Sequence, residues 1–184
     1  MKKTILHEHI FVIEDFLSAD ECKELIDISE GIGFEEAKVQ VGNNQQATIK
    51  GIRNNERILY KSDEFAEKFW QRSKAWLPLQ VGKYTVSGLN EMFRFYKYSP
   101  GERFKMHIDG SFEKSDTECS FYTFLIYLND GFEGGETEFK DICTVNPRQG
   151  SLLIFYHPLW HEGKLLKEGK KYVLRSDVMY KLTE

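Results

Sequence analysis

Near Leu89 the apolar spacing changes from about one residue in 3.6 to every second residue, and this switch limits what the chain can fold into. Upstream, Ser18 reads as a helix N-cap, with Glu21 completing a capping box. Positions 19–31 then place Cys22, Leu25, Ile26 and Ser29 at helical spacing until Gly31 and Gly33 end the run. Ser62 caps a second amphipathic stretch that runs to Trp76, with Phe65, Phe69 and Trp70 on one side and Pro78 just beyond. A short strand is expected at 9–13 and a polar loop at 42–47. Downstream, strands are expected at 92–98, 121–128, 137–139, 151–156 and 171–181. Ser-Pro-Gly at 99–101, Asp-Gly at 130–131, Gly-Gly at 134–135 and Pro-Arg-Gln-Gly at 147–150 mark turns between them. Short strands at this spacing favour an antiparallel sandwich or barrel. With 184 residues, no repeat and no linker, the chain reads as one α+β, mainly β domain. Helical support is expected over about 1–88 and a strand-rich core over about 89–184.

Composition narrows the function classes. The net charge of -4 supplies no broad basic face, so nucleic acid is not an evident partner. Lys2 and Lys3 precede His7, Glu8 and His9, which interrupt any apolar run, so the start of the chain is neither a signal peptide nor a membrane helix. Cys22, Cys119 and Cys143 are odd in number and unpatterned; no disulfide framework follows, and a reducing cytoplasm is expected. No pattern bears on oligomeric state.

The most specific chemistry lies in Lys105-Met106-His107-Ile108-Asp109-Gly110. In an extended segment, residues two apart point the same way, so His107 and Asp109 can grip one ion from one side. A third ligand must come from elsewhere in the fold, and both His157 and His161 stand at a usable distance along the chain. Two imidazoles and a carboxylate form a facial triad, which leaves positions on non-haem iron(II) open for other ligands.

Several ordered stretches resemble the prolyl 4-hydroxylase branch of the iron(II)- and 2-oxoglutarate-dependent oxygenases. They are Tyr98-Ser-Pro-Gly101-Glu-Arg-Phe104-Lys-Met-His107-Ile-Asp109, then Tyr127-Leu-Asn with Gly134-Gly135-Glu136-Thr137-Glu138-Phe139. Pro147-Arg-Gln-Gly150-Ser-Leu-Leu-Ile-Phe155, His161-Glu162-Gly163 and Gly169-Lys170-Lys171-Tyr172 follow in the same order. Near the N-terminus, Asp15-Phe16-Leu17-Ser18 with Glu21-Cys22 is similar to the helix that opens such domains. The resemblance implies a double-stranded β-helix, a jelly-roll braced by N-terminal helices. It implies Fe(II) held by His107, Asp109 and His161, with 2-oxoglutarate and O2 as cosubstrates and ascorbate as an optional reductant. Its implied reaction is hydroxylation of an unactivated C–H bond, in a prolyl or other amino-acid residue. Related halogenases carry a small residue where Asp109 stands, so Asp109 favours hydroxylation.

The distal carboxylate of 2-oxoglutarate needs a cation. Lys171 and Arg175 are four apart on an expected strand and share a face. The resemblance puts the carboxylate-binding cation at Lys171, with Arg175 as the alternative, unless Asp177 on that same face engages Arg175 structurally. By the same resemblance Tyr127 helps to hold the distal carboxylate, and Tyr98 lies beside the iron-binding end. Substrate-side candidates are Arg53, Asn54, Asn55, Arg57, Arg94, Tyr96 and Trp160. Arg53-Asn-Asn equally fits a turn. Peptide, protein and free amino acid all remain open as substrate. The competing class is a non-catalytic jelly-roll that binds metal or ligand without turnover.

Overall fold

The computed structural model describes residues 1–36, 39–41, 45–47 and 54–183, with 39–41 and 45–47 as backbone alone. Arg53 and positions 42–44 of the expected loop lie outside them. Among the described residues a large antiparallel sheet runs in the order Lys2–His7, Ile10–Glu14, Leu152–Tyr156, Glu118–Tyr127, Lys171–Leu182, Met92–Tyr98, Glu56–Lys61 and Glu35–Glu36. A second, four-stranded sheet is ordered Phe104–His107, His161–Gly163, Thr137–Phe139 and Cys143–Val145.

The period-2 pattern sorts the side chains of the large sheet. Phe93, Phe95, Phe124, Ile126, Leu152, Ile154 and Leu174 face away from the small sheet and pack with Phe16, Cys22, Leu25 and Phe69. Tyr96, Tyr98, Tyr127, Leu153, Phe155 and Val173 face inward and meet Phe139 and Val145 of the small sheet. One face of the large sheet thus carries the helices, and the other forms one wall of a cleft.

The two helices form where the sequence predicts them. α1 spans Ala19–Ile32 with both hydrogen bonds of the Ser18–Glu21 capping box, and Gly33 ends it at φ 90. α2 spans Asp63–Ser73, capped by the Ser62 side chain, and tightens into a 3-10 turn at Lys74–Trp76. Arg72 of α2 donates to both carboxylate oxygens of Glu21, each at 2.8 Å, which clips the helices together.

The expected order of helices first and strands after does not hold. Lys2–His7, Glu56–Lys61 and Tyr84–Leu89 are strands of the large sheet, and the first expected strand begins at Ile10. Positions 45–47, expected in a loop, form a strand paired with Val39–Val41. These strands escape a periodicity reading because they lie at sheet margins: Lys2–His7 has no fully buried residue, and Glu56–Lys61 buries only Ile58. No described helix is long and apolar enough to cross a membrane.

Candidate metal centre

Backbone register brings the metal candidates together. Phe104–His107 and His161–Gly163 are antiparallel neighbours, and His107 stands directly opposite His161. Asp109 lies just past the first of these strands, fixed by its backbone N–H to the carbonyl of His157 at 3.1 Å. One ligand atom from each of His107, Asp109 and His161 falls within 4.8 Å of the others. The Nε2 atoms of His107 and His161 are each 3.7 Å from an Asp109 oxygen.

Both imidazoles are held in one orientation. His107 Nδ1 lies 2.7 Å from the carbonyl of Lys105, and His161 Nδ1 lies 2.9 Å from that of Leu159. A carbonyl only accepts, so each Nδ1 carries the proton and each Nε2 offers a lone pair to the centre. Phe104 stacks on His107 with ring centroids 3.6 Å apart, and Phe155 meets His161 at 4.5 Å. Burial pulls His161 down to about 4, so at neutral pH it is uncharged, as a ligand must be. Burial opposes ionisation of Asp109, but the charge of the Arg175 guanidinium outweighs it and holds its carboxyl well below the usual range. Two neutral nitrogens and one carboxylate converge on a shared point, a donor set that fits a divalent iron.

The same cleft contains Lys171 at its far wall. Its lining includes Tyr96, Tyr98, Leu125, Phe155, Val173, Lys171 and Arg175 from the large sheet, with Phe104, His107, Thr137 and His161 from the small one. Lys171 Nζ donates to the carbonyl of Gly135 at 2.5 Å and lies over the rings of Tyr98 and Tyr127 at 5.3 and 5.5 Å. Burial lowers it to about 8, against a weak opposing pull from Glu136. Among the described residues no carboxylate forms an ion pair with it. Gly135 adopts φ +70, and a Cβ there would meet Lys171 Cδ at 3.2 Å, so the glycine gives the lysine room. Tyr127 is fully buried, with its hydroxyl 2.7 Å from Thr137 Oγ1.

The other cation is engaged. Arg175 Nη2 lies 3.1 Å from Asp109 and 3.2 Å from Asp177. Arg94 shares the inward face of Tyr96 and Tyr98, but it is tied to Asp177 at 3.0 Å and does not line the cleft. Asn54 takes the turn role, donating to the carbonyl of Gly101 at 3.1 Å and accepting from the N–H of Arg103 at 2.8 Å. Asn55 is buried and bonds the carbonyl of Glu56, and Arg57 lies on the Glu56–Lys61 strand, outside the cleft lining. Trp160 is 53% exposed beside His161. His157 is buried with its Nε2 3.8 Å from Asp177, outside the group of convergent ligand atoms. Thr123 was missed by the sequence reading; its hydroxyl donates to Asp109 at 2.5 Å. Its period-2 relation to Leu125 and Tyr127 on the inward face is the signal that could have found it.

A double-stranded β-helix with a His-Asp-His centre in its cleft defines a class, and the comparisons agree. The family model described as 2OG-Fe(II) oxygenase superfamily matches residues 93–176. Probable prolyl 4-hydroxylase 7 of Arabidopsis thaliana is 24% identical over 177 residues, covering 81% of this chain; the chain spans about half, 53%, of that relative's length. The viral collagen prolyl hydroxylase of Paramecium Bursaria Chlorella virus-1, solved as a 2OG complex, aligns with TM-score 0.67 at 21% identity over 95% of this chain and 97% of its own. A prolyl hydroxylase from Trichoplax adhaerens, solved with a hypoxia inducible factor peptide fragment, aligns with TM-score 0.70 at 18% identity over 92% and 83%. The chain is similar to the 2OG-Fe(II) oxygenase superfamily over residues 93–176 and to prolyl 4-hydroxylases over most of its length. That family implies Fe(II), 2-oxoglutarate and O2.

Proposed function

We propose that this chain is an Fe(II)- and 2-oxoglutarate-dependent hydroxylase that acts on a C–H bond of a prolyl or other amino-acid residue in a peptide or protein. The observation that carries the reading is one cleft holding both a convergent His-Asp-His set and a buried ammonium with no carboxylate partner among the described residues. His107, Asp109 and His161 hold the iron, each imidazole through Nε2. Lys171 takes the distal carboxylate of 2-oxoglutarate, Tyr127 with Thr137 borders it, and Tyr98 lies beside the iron-binding end. Arg175, already paired with Asp109 and Asp177, is not the cosubstrate cation. When bound, iron(II) with 2-oxoglutarate and O2 supplies the oxidising power for hydroxylation, with succinate and carbon dioxide released. The chain's own part is to ligate, orient and keep water out, through Leu125, Phe155 and Val173 on the cleft wall.

The peptide carried by the Trichoplax neighbour supports a peptide over a free amino acid. Free Cys22, Cys119 and Cys143 support a cytoplasmic setting, and ascorbate fits as a reductant that keeps the iron ferrous.

Anaerobic titration with iron(II) and then 2-oxoglutarate tests the reading. One equivalent of each should bind, with a weak metal-to-ligand charge-transfer band. His161→Ala should lose the band and His157→Ala keep it. The reverse pattern would move the distal ligand to His157. Binding of both reagents without succinate formation, across peptides containing proline, would make the chain a non-catalytic module.

A further inference from the structure

We infer that Arg175 is a positioning residue that holds Asp109 as a one-oxygen ligand. The inference rests on the proposed iron site. Oδ2 of Asp109 is held by two groups at once: it accepts from the Thr123 hydroxyl at 2.5 Å and forms an ion pair with Arg175 Nη2 at 3.1 Å. Oδ1 lies 3.7 Å from His107 Nε2 and takes part in neither of these contacts, while Oδ2 also lies 3.7 Å from His161 Nε2. A carboxylate whose second oxygen is already committed binds metal through the first, and the remaining positions stay open for cosubstrate and oxygen. A carboxylate free to turn about its own axis could close both oxygens on the ion and occupy one of those positions.

The clamp is itself braced across three strands. Arg175 stands opposite both Arg94 and Leu125 in register, and Thr123 stands opposite Asp177. Asp177 Oδ1 accepts from Arg175 at 3.2 Å, while its Oδ2 accepts from Arg94 at 3.0 Å and Asn90 at 3.2 Å. The line Arg94, Asp177, Arg175, Asp109 therefore alternates in charge from the sheet into the metal centre. Arg94, Asp177 and Arg175 sit on central strands of the large sheet, which give a long side chain little freedom to drift. Asp109 itself lies beyond the end of a four-residue strand, so its side chain needs this outside support.

Cobalt(II) is a suitable spectroscopic probe of the site under anaerobic conditions. In Arg175→Gln, cobalt(II) and iron(II) affinity should fall by about ten- to hundred-fold, the usual effect of losing a partner behind a metal ligand. The cobalt visible bands should shift toward those of a site with one more oxygen ligand. Arg175→Lys, which restores charge and a single donor, should recover part of both. The 2-oxoglutarate constant at saturating cobalt should stay near the wild-type value. Thr123→Val removes the hydroxyl donor to Oδ2, together with one acceptor of Arg175 Nη2, while keeping every charge, and should shift the bands in the same direction. A purely structural arginine would lower the melting temperature and leave affinity and bands of the folded protein unchanged; that result overturns the inference. So does loss of 2-oxoglutarate with metal binding intact, which would make Arg175 the cosubstrate cation. Failure of the wild type to take up either metal would instead bring down the proposed function.

Discussion

Lys171 is an ammonium buried between two tyrosine rings, and its main hydrogen-bond partner is a neutral carbonyl. Burial moves it from 10.5 to about 8. A difference of that size corresponds to roughly 3 kcal/mol of folding stability withheld below pH 8, since the unfolded lysine holds its proton more tightly. As pH rises from 8 toward 10.5 the native lysine releases its proton before the unfolded one does, so stability should rise in that window. Lys171→Met removes this cost but leaves the Gly135 carbonyl without its donor, which returns about 1–3 kcal/mol. We expect the ligand-free variant to be at least as stable as wild type at pH 7. Urea unfolding at pH 7 and pH 10 should show the balance moving in favour of wild type at the higher pH. The stabilisation produced by 2-oxoglutarate should vanish in the variant. A difference between the two proteins that does not change with pH would mean the buried ammonium carries no such cost.

Among the elements, α1 and α2 depend on one acidic side chain. Glu21 closes the capping box with Ser18, receives both donors of Arg72 and lies 3.3 Å from Lys68. Arg72 bonding, against an opposing effect of burial, pulls Glu21 from 4.5 to about 2. Its contribution is therefore fully present above pH 4.5 and is lost as pH falls toward 2. Glu21→Gln should cost about 1–2 kcal/mol at pH 7, the range for charge-assisted bonds and caps together. Chemical denaturation at pH 7 and again near pH 2.5 should show the difference shrinking; an equal difference at both would disconnect Glu21 from the helix clip. The loop behind α1 is equally constrained, because a Cβ at Gly150 would meet the Leu17 carbonyl at 2.1 Å, and its φ of +74 already favours glycine.

For the whole molecule, the helices cover one face of the large sheet and the cleft occupies the other, so ligand binding and folding are linked through the sheet. Ligands that bind only the native state at about 100 times their dissociation constant add about 2.7 kcal/mol. For a domain of this size each kcal/mol raises the midpoint by roughly 2–4 °C, so iron(II) with 2-oxoglutarate should raise it by roughly 5–10 °C. Anaerobic calorimetry should show the rise, EDTA should reverse it, and Asp109→Ala should lack most of it. A full rise in Asp109→Ala would place the ligands elsewhere.

Much of this was legible in the residues. The capping box at Ser18 and Glu21, the helix at Ser62 and the strand at Met92–Tyr98 follow from local pattern, because caps and alternating burial are short-range effects. His107 and Asp109 are neighbours in sequence, so their shared direction was also readable. The choice between His157 and His161 was not settled by spacing, and resemblance had to make it. In the fold, pairing of two strands only a few residues long sets His161 opposite His107 and turns His157 toward Asp177. Lys171 and Arg175 likewise share a face by alternation, yet only the structure separates their surroundings. Asp177, two residues along the same strand and itself tied to Arg94, and Asp109, from beyond a strand end, reach Arg175, while Lys171 is left facing two rings and a carbonyl. Sequence period decides which face a side chain takes; which partner it meets there depends on strand order and register, and those are decided by the whole sheet.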